Sequence, residues 1–430
     1  MALWSNPAVV AVLVMVGLSL ARLNILLAII SATLVGGLMG GLGFVDTTQV
    51  MINGMRGNLE TALSYVLLGA LAVTISSGNL MKVVLFRLVG WLDQKRTIFC
   101  FLIAFIACFS QNLIPVHIAF IPILIPPLLH LMNRLKVDRR AVACALTFGL
   151  EAPYMTIPAG FGLIFLNLIV DNLRQNGIQT DLREVVAVMS ISGLAMLCGL
   201  VVAVLILYRK PRFYEDRLES TTHEELKLQT KDYLALVGIV LAFVVQIATG
   251  SLPLGAFIGL MVMLVGVIKW GQMDSVIDEG VKMMAFVAFV MLVASGFGEV
   301  LQKTHAITDL VHIASGAISG KFAGAVIMLV IGLFITLGIG TSFGTLPIIA
   351  TFYCPLCLAL GFDTKATILL IGIAAGLGDA GSPASDSTIG STTGLNADGQ
   401  HNHIYDTCIP TFLVYNIPLM IFGVVGALLL

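Results

Sequence analysis

"GLGDAGSPASDSTIGSTTG", residues 376–394, follows Ala366–Leu377, a 12-residue apolar stretch too short to cross a membrane alone. Its nineteen residues hold two aspartates, five glycines, four serines and three threonines, the composition of a surface loop. Yet a strongly apolar segment follows it and runs to Leu430. A loop-like stretch enclosed by apolar chain makes sense if it lies within a membrane.

The composition agrees. Hydrophobic residues make up 58% of the 430 and charged residues 11%, against roughly 45–50% and 25% in soluble domains. Mean hydropathy is +1.01. Apolar stretches of roughly 20 residues recur from end to end, the mark of an all-α polytopic membrane protein. A net charge of −1 is uninformative about partners, and no nucleic-acid partner is expected. The seven cysteines lie mostly inside apolar runs, and Cys354 and Cys357, with Pro355 between them, read as buried free thiols. No Lys or Arg precedes the first apolar run, so a cleaved signal peptide is not expected.

Full spans are predicted at 7–22, 24–43, 59–79, 185–208, 231–249, 251–269, 281–301 and 404–429, with composite regions at 97–170 and 322–394. The longest hydrophilic stretch is 209–231, "RKPRFYEDRLESTTHEELKLQTK". It divides the chain into a first transmembrane repeat (1–208), a cytoplasmic linker (209–230) and a second repeat (231–430). A shift of 225 positions aligns Pro122 with Pro347, Leu131 with Leu356, Leu135 with Leu360, Asp138 with Asp363 and Ala141 with Ala366. The order of spans, hairpin, broken helix and closing span repeats as well, which points to duplication. Asp138 and Asp363 read as N-caps of the two broken helices.

Charge gives an orientation. If 97–133 is a re-entrant hairpin and 138–170 and 364–394 are broken helices that cross, each half crosses five times and the second half is inverted. With both termini in the periplasm, inner loops collect 17 of the 23 Lys and Arg residues and outer loops 6. That is the positive-inside pattern of a multi-pass protein of the bacterial inner membrane.

Irregular backbone at membrane depth survives only where protein or a water-filled cavity covers it. Four such breaks are predicted: hairpin tips at 110–117 and 338–347, and helix interruptions at 151–160 and 378–390. Inverted repeats bring such breaks together near the midplane, half-helix N-termini facing anionic groups and freed carbonyls facing cations. Asp379, Ser382, Ser385, Asp386, Ser387 and Thr388 offer hard oxygens of the kind that small alkali cations prefer. Thr341, Ser342 and Thr345 add more from the facing hairpin, while Gly340 and Gly344 allow close backbone approach. At the first-half break Glu151 is the lone carboxylate, accompanied by Gln111, Asn112, His117, Tyr154 and Thr156. The candidate ion-binding set is therefore Asp379, Ser382, Ser385, Asp386, Thr388 and Gly340. The candidate substrate-binding set is Asn112, His117, Glu151, Tyr154, Thr341 and Ser342. Asp379 stands out, because an ionisable residue at membrane depth is costly unless it works. "NADGQHNH" (396–403) has two histidines spaced for a metal but falls in a predicted cytoplasmic loop, so no metal other than Na+ is expected.

"GLGDAGSPASDST" (376–388), with "GLNADGQHNHIYDTCIPTFLVYNIPL" (394–419), resembles the closing signature of the bacterial Na+/H+ antiporter family of NhaC-like type, in its branch of histidine or amino-acid permeases. The resemblance runs over nearly the whole chain and is most specific across 376–419. It implies the ion transporter superfamily architecture: two inverted repeats, each with a re-entrant helical hairpin and a discontinuous transmembrane helix. It also implies a homodimer, elevator-type alternating access and no cofactor beyond Na+ or H+ as coupling ion. Asp379, Ser382, Ser385, Asp386 and Thr388 match the family's discontinuous-helix motif, whereas Ser391-Thr392-Thr393 replaces a Pro-containing version of it.

Three functions fit a polytopic chain of this kind. The first is Na+- or H+-coupled uptake of an amino acid, histidine being a candidate, and the second is Na+/H+ antiport without an organic substrate. The third, a channel or receptor, is disfavoured by inverted repeats with broken helices. The amides and aromatic ring at the first break favour an organic solute. No enzymatic activity is expected.

Overall fold

The computed structural model describes residues 6–21, 23–56, 59–76, 96–112, 117–215, 229–249, 251–266, 268, 270–306, 309, 320–339, 341–383 and 385–430. Every regular element among them is helical. Four helices are each long and apolar enough to cross a membrane: Leu182–Leu207, Gly320–Leu337, Ser342–Ala359 and His403–Leu429. A bent pair, Arg139–Thr156 with Phe161–Gln175, makes a fifth if taken as one span.

One bundle gathers α1 (Pro7–Leu20), α2 (Ile25–Met39), α3 (Phe44–Met55) and α4 (Leu59–Ser76) with α10 (Thr230–Thr249), α11 (Leu252–Gly266) and α12 (Met273–Lys303). The other holds α5 (Arg96–Asn112), α6 (His117–Arg134), α7 (Arg139–Thr156), α8 (Phe161–Gln175) and α9 (Leu182–Val202). With these go α13 (Gly320–Ile339), α14 (Ser342–Ala359), α15 (Thr364–Gly376), α16 (Asp386–Leu395) and α17 (Ile409–Leu429). The bundles meet chiefly where α12 lies against α14. Within its apolar window α14 is 83% buried by protein, against 39% for the other three long helices, so it is the central one.

The span expected at 24–43 is a shorter helix, α2, followed by a second one beyond it. Asn24 caps α2, accepting from the Leu26 amide at 3.0 Å. Gly40 and Gly41 turn the chain, and α3, which was not anticipated, returns along α2. Its sequence, FVDTTQVMINGM, hides a helix because only Thr47 and Met51 are buried. A Cβ at Gly37 would overlap Thr47, so the two helices touch backbone to side chain. The segment expected at 281–301 is the 31-residue α12, about 46 Å long and longer than the ~30 Å hydrocarbon layer.

The second bundle contains the broken helices. Asp138 caps α7 through the Arg140 amide (3.0 Å), and Asp363 caps α15 through the Thr364 amide (2.5 Å), so the aligned aspartates hold matching positions. Each helix then breaks and resumes: α7 stops at Thr156 and α8 begins at Phe161, bent by 46°, while α15 stops at Gly376 and α16 begins at Asp386. Cross-contacts are reciprocal, with α6 against α16 and α14 against α8.

Two breaks are narrower than expected. The first was predicted to unwind at 151, but helix continues through Thr156 with Pro153 inside it. A proline lacks the amide that would bond the i−4 carbonyl, a loss that one turn from a helix end tolerates. The second hairpin tip was predicted to run to 347, yet α14 starts at Ser342 and carries Pro347 in its interior. The tip of the first hairpin, 113–116, lies outside the described residues. The start of the linker, 209–215, is extended and docked: the Arg212 amide bonds the Lys136 carbonyl at 3.2 Å, and Tyr214 packs on Arg139.

Candidate functional site

Asp379, 8% exposed, sits in the break between α15 and α16 and is saturated with donors. Its Oδ2 accepts from the Ser342 amide (3.1 Å), the Ser342 hydroxyl (2.5 Å) and the Tyr154 hydroxyl (3.2 Å). Its Oδ1 accepts from Ser385 Oγ at 2.5 Å. The Tyr154 and Ser342 hydroxyls lie 2.7 Å apart. The Ser342 amide is the first of α14 and Ser385 is the N-cap of α16, so two helix N-termini, each a partial positive charge, face one carboxylate.

A hydroxyl chain joins this aspartate to a second acid. Ser385 Oγ lies 3.0 Å from Ser387 Oγ, and Ser387 donates to Glu151 Oε1 at 2.8 Å. Glu151 is 2% exposed, on the last turns of α7. Two buried carboxylates are thus bridged by two serines, with no basic side chain among their described hydrogen-bond partners. Burying charge is expensive, and a proton or cation held between the acids would offset the cost.

The broken backbone is held by side chains. Gly378 and Gly381 adopt φ of +85° and +96°, the region that disfavours a Cβ. Asn416 of α17 reaches in, its Oδ1 accepting from the Gly378 amide (2.7 Å) and its Nδ2 donating to the Ala380 carbonyl (2.8 Å). Thr336 Oγ1 donates to the Ala374 and Ala375 carbonyls at 3.2 and 3.3 Å, relieving the open end of α15. Ser382 donates to the Leu337 carbonyl (3.1 Å), and Thr388 to the Ser382 (2.5 Å) and Ser385 (3.0 Å) carbonyls. In this arrangement Ser382 and Thr388 fasten the break with their hydroxyl protons.

Of the twelve candidate residues, Glu151, Tyr154, Ser342, Asp379 and Ser385 form one connected network. Thr341 is the N-cap residue of α14 but makes no side-chain capping bond, and its carbonyl accepts from Thr345 Oγ1 at 2.9 Å. Asp386 is the first residue of α16, Asn112 the last of α5 and His117 the first of α6, their side chains lying outside the described set. Gly340 lies outside the described residues. Asn416 and Thr336 were not anticipated. Nor was the aromatic group beside Tyr154, whose ring centroid lies 5.1 Å from that of Phe165 and 5.2 Å from that of Phe343. An amide inside the apolar run "FLVYNIPL" (412–419) is the signal that could have pointed to Asn416.

A charged clamp closes one end of the same helices. Arg139, fully buried, makes a bidentate pair with Asp398 (2.6 and 2.5 Å) and donates to the Leu395 carbonyl (2.9 Å) and Asn133 Oδ1 (3.0 Å). Its guanidinium lies 4.1 Å from the centre of the Tyr214 ring. Burial works against the ionised form of Asp398, but Arg139 outweighs it and holds the carboxyl below the usual range. The loop histidines bond hydroxyls: His401 Nε2 lies 2.7 Å from Thr407 Oγ1, and His403 Nδ1 lies 2.8 Å from Thr392 Oγ1.

A helical membrane chain whose helices break around buried carboxylates belongs to the class of multi-pass membrane transporters. Two family models, both described as the Na+/H+ antiporter family, match residues 145–424 and 6–92. A Bacillus subtilis relative named "Putative amino acid transporter YuiF" is 45% identical over 442 residues, covering 99% of this chain and all of that one. An "Uncharacterized membrane protein" of Haemophilus influenzae is 44% identical over 448 residues, again covering 99% of this chain and all of the relative. The chain belongs to the Na+/H+ antiporter family. Two solved transporters share the fold at 14% sequence identity. Alcanivorax borkumensis YdaH superposes with a TM-score of 0.60 over 87% of this chain and 86% of its own. Neisseria gonorrhoeae MtrF does so with 0.61 over 97% and 95%.

Proposed function

We propose that this transporter takes up an amino acid across the bacterial inner membrane, coupled to Na+ or H+, by elevator-type alternating access. The observation that carries it is the chain Glu151–Ser387–Ser385–Asp379–Ser342, which ties the broken helices of both halves to the start of α14. An amino acid presents a carboxylate and an ammonium together. The N-termini of α14 and α16 suit the first, Asp379 and Glu151 the second, and the Tyr154 ring an apolar or aromatic side chain. The coupling cation or proton sits between Asp379 Oδ1 and Glu151, where Ser385 and Ser387 can turn lone pairs inward; the Ser342 amide has none to turn. Histidine is one candidate solute, and the name of the B. subtilis relative supports the amino-acid class.

The repeated order of hairpin, broken helix and second half-helix, with its reciprocal contacts, supports two inverted repeats with re-entrant hairpins. The bundle of α5–α9 and α13–α17 would be the moving body and the other bundle the fixed scaffold, placed to form a homodimer. The charge split supports periplasmic termini and a cytoplasmic linker. Purified protein in liposomes, offered each labelled amino acid under an imposed Na+ or pH gradient, tests the function. Gradient-driven accumulation of at least one is expected. Exchange of Na+ for H+ with no accumulation of any amino acid would replace this reading with plain antiport.

A further inference from the structure

Ser and Thr side chains on membrane helices usually donate to the carbonyl one turn back. Thr33, Thr74, Thr156, Thr351 and Thr411 all do so here, at 2.7–2.8 Å. Other hydroxyls reach across to neighbouring elements, and two do neither. Thr147 on α7 and Ser391 on α16 are both 0% exposed, and neither oxygen has a hydrogen-bond partner among the described residues. Leaving a buried hydroxyl unpaired is costly.

Their positions are related. Ser387 of α16 bonds Glu151 of α7, and further along α16 the Leu395 carbonyl bonds Arg139, nearer the start of α7. The two helices therefore run antiparallel along a common seam. Thr147 lies one turn before Glu151, and Ser391 one turn after Ser387, each about 6 Å toward Arg139. The seam thus carries an acid at the buried site, two unpaired hydroxyls in the middle, and the Arg139–Asp398 pair at its outer end. That outer end is the one the charge split assigns to the cytoplasm.

We infer that this seam holds water and is the route by which Glu151 exchanges a proton with the cytoplasm. The inference rests on the reading of Glu151 as part of the coupling site, and it names the proton as the coupling ion. Buried water settles beside polar groups that lack protein partners, and each hydroxyl can accept one hydrogen bond while donating another. The carboxyl O–H of Glu151 breaks as a water O–H forms; that water or hydroxyl releases its own proton to the next oxygen. Every bond broken is matched by one made, nothing is oxidised, and the proton ends in bulk water beyond Asp398. Sodium suits the seam poorly, because it would shed its hydration shell between closely packed helices and leave past a fixed guanidinium. A hopping proton moves no heavy atom.

The test uses full-length protein. In a background with all seven cysteines replaced, Ser391→Cys should react with Ag+ applied from the cytoplasmic side at least about tenfold faster than Leu146→Cys, a buried apolar control on α7. In liposomes, the double variant Thr147→Val/Ser391→Ala should lose about tenfold or more of substrate-driven proton movement, read by a lumenal pH dye. Exchange of labelled for unlabelled substrate at equal pH, which needs no net proton release, should stay close to wild type. An inert Ser391→Cys, or proton movement and exchange falling together, would overturn the seam. Wild-type protein that accumulates substrate without moving protons would overturn it too, with amino-acid transport left standing. Absence of substrate exchange in wild type would count against the proposed function instead, and Ag+ access to Ser391→Cys would still decide whether the seam is wet.

Discussion

Tyr154 and Ser342 stand 188 positions apart in the chain, yet their hydroxyls are 2.7 Å apart and converge on the same oxygen of Asp379. One residue closes the last turn of α7 and the other opens α14, so a single carboxylate registers how two helices from opposite halves of the chain are placed. Any motion of one bundle element against the other must break or rebuild these bonds.

Asp379→Asn keeps the shape and removes the charge. Ser342 and Tyr154 donate to one carboxylate oxygen and Ser385 to the other, so the new amide NH2 must face a donor at one of its two positions. Gradient-driven uptake in liposomes should fall about 100-fold, equivalent to about 2.7 kcal/mol, with monodisperse protein still recovered from the membrane. Uptake at the wild-type rate with unchanged ion dependence would remove Asp379 from the coupling site.

Tyr154→Phe separates the ring from its hydroxyl. The ring contacts with Phe165 and Phe343 persist, while the bonds to Asp379 and Ser342 go. Thermal stability should drop by only about 1 kcal/mol, whereas transport should lose about tenfold, seen as a raised apparent KM. A large stability loss with normal kinetics would make the residue a packing element alone.

The polar half of this picture was legible from the chain. Asp379, Ser385 and Glu151 interrupt apolar runs, and ionisable groups at membrane depth rarely lack a task. Partner choice was not legible. Ser387 meets Glu151 across 236 positions, a pairing set by how α16 lies on α7 and by nothing in local sequence. Local pattern also misjudged where helices yield. The breaks expected at 151–160 and 338–347 take in Pro153 and Pro347, yet each proline sits inside a helix, because packing on neighbours outweighs one lost backbone bond. Helix α3 escaped notice for the opposite reason: a helix with two buried residues carries almost no hydrophobic signature.

Asn416→Ala tests whether the break is held or merely tolerated. Removing the amide leaves the Gly378 N–H and the Ala380 carbonyl without their partner in a water-poor interior. A loss of about 2–4 kcal/mol in stability is expected, read as a lower Tm in detergent. Asn416→Gln, which keeps the chemistry but lengthens the arm, should recover little, since the clamp depends on reach. Full stability in Asn416→Ala would show that the glycine-rich backbone needs no such support.

The Arg139–Asp398 clamp predicts an acid sensitivity with a definite sign. Asp398 is held below its ordinary value in the folded protein, so folding favours its ionised form. Its contribution is then complete above the unfolded carboxyl value of about 3.9 and is lost as pH falls below it toward the folded value. As pH falls from about 4 toward about 2, wild-type protein should lose more Tm than Asp398→Asn does. The variant should start lower at neutral pH, because a buried guanidinium without its carboxylate costs about 3–5 kcal/mol. Parallel acid profiles for the two proteins would show that the ion pair is not what fastens the linker and the 396–406 loop to α7.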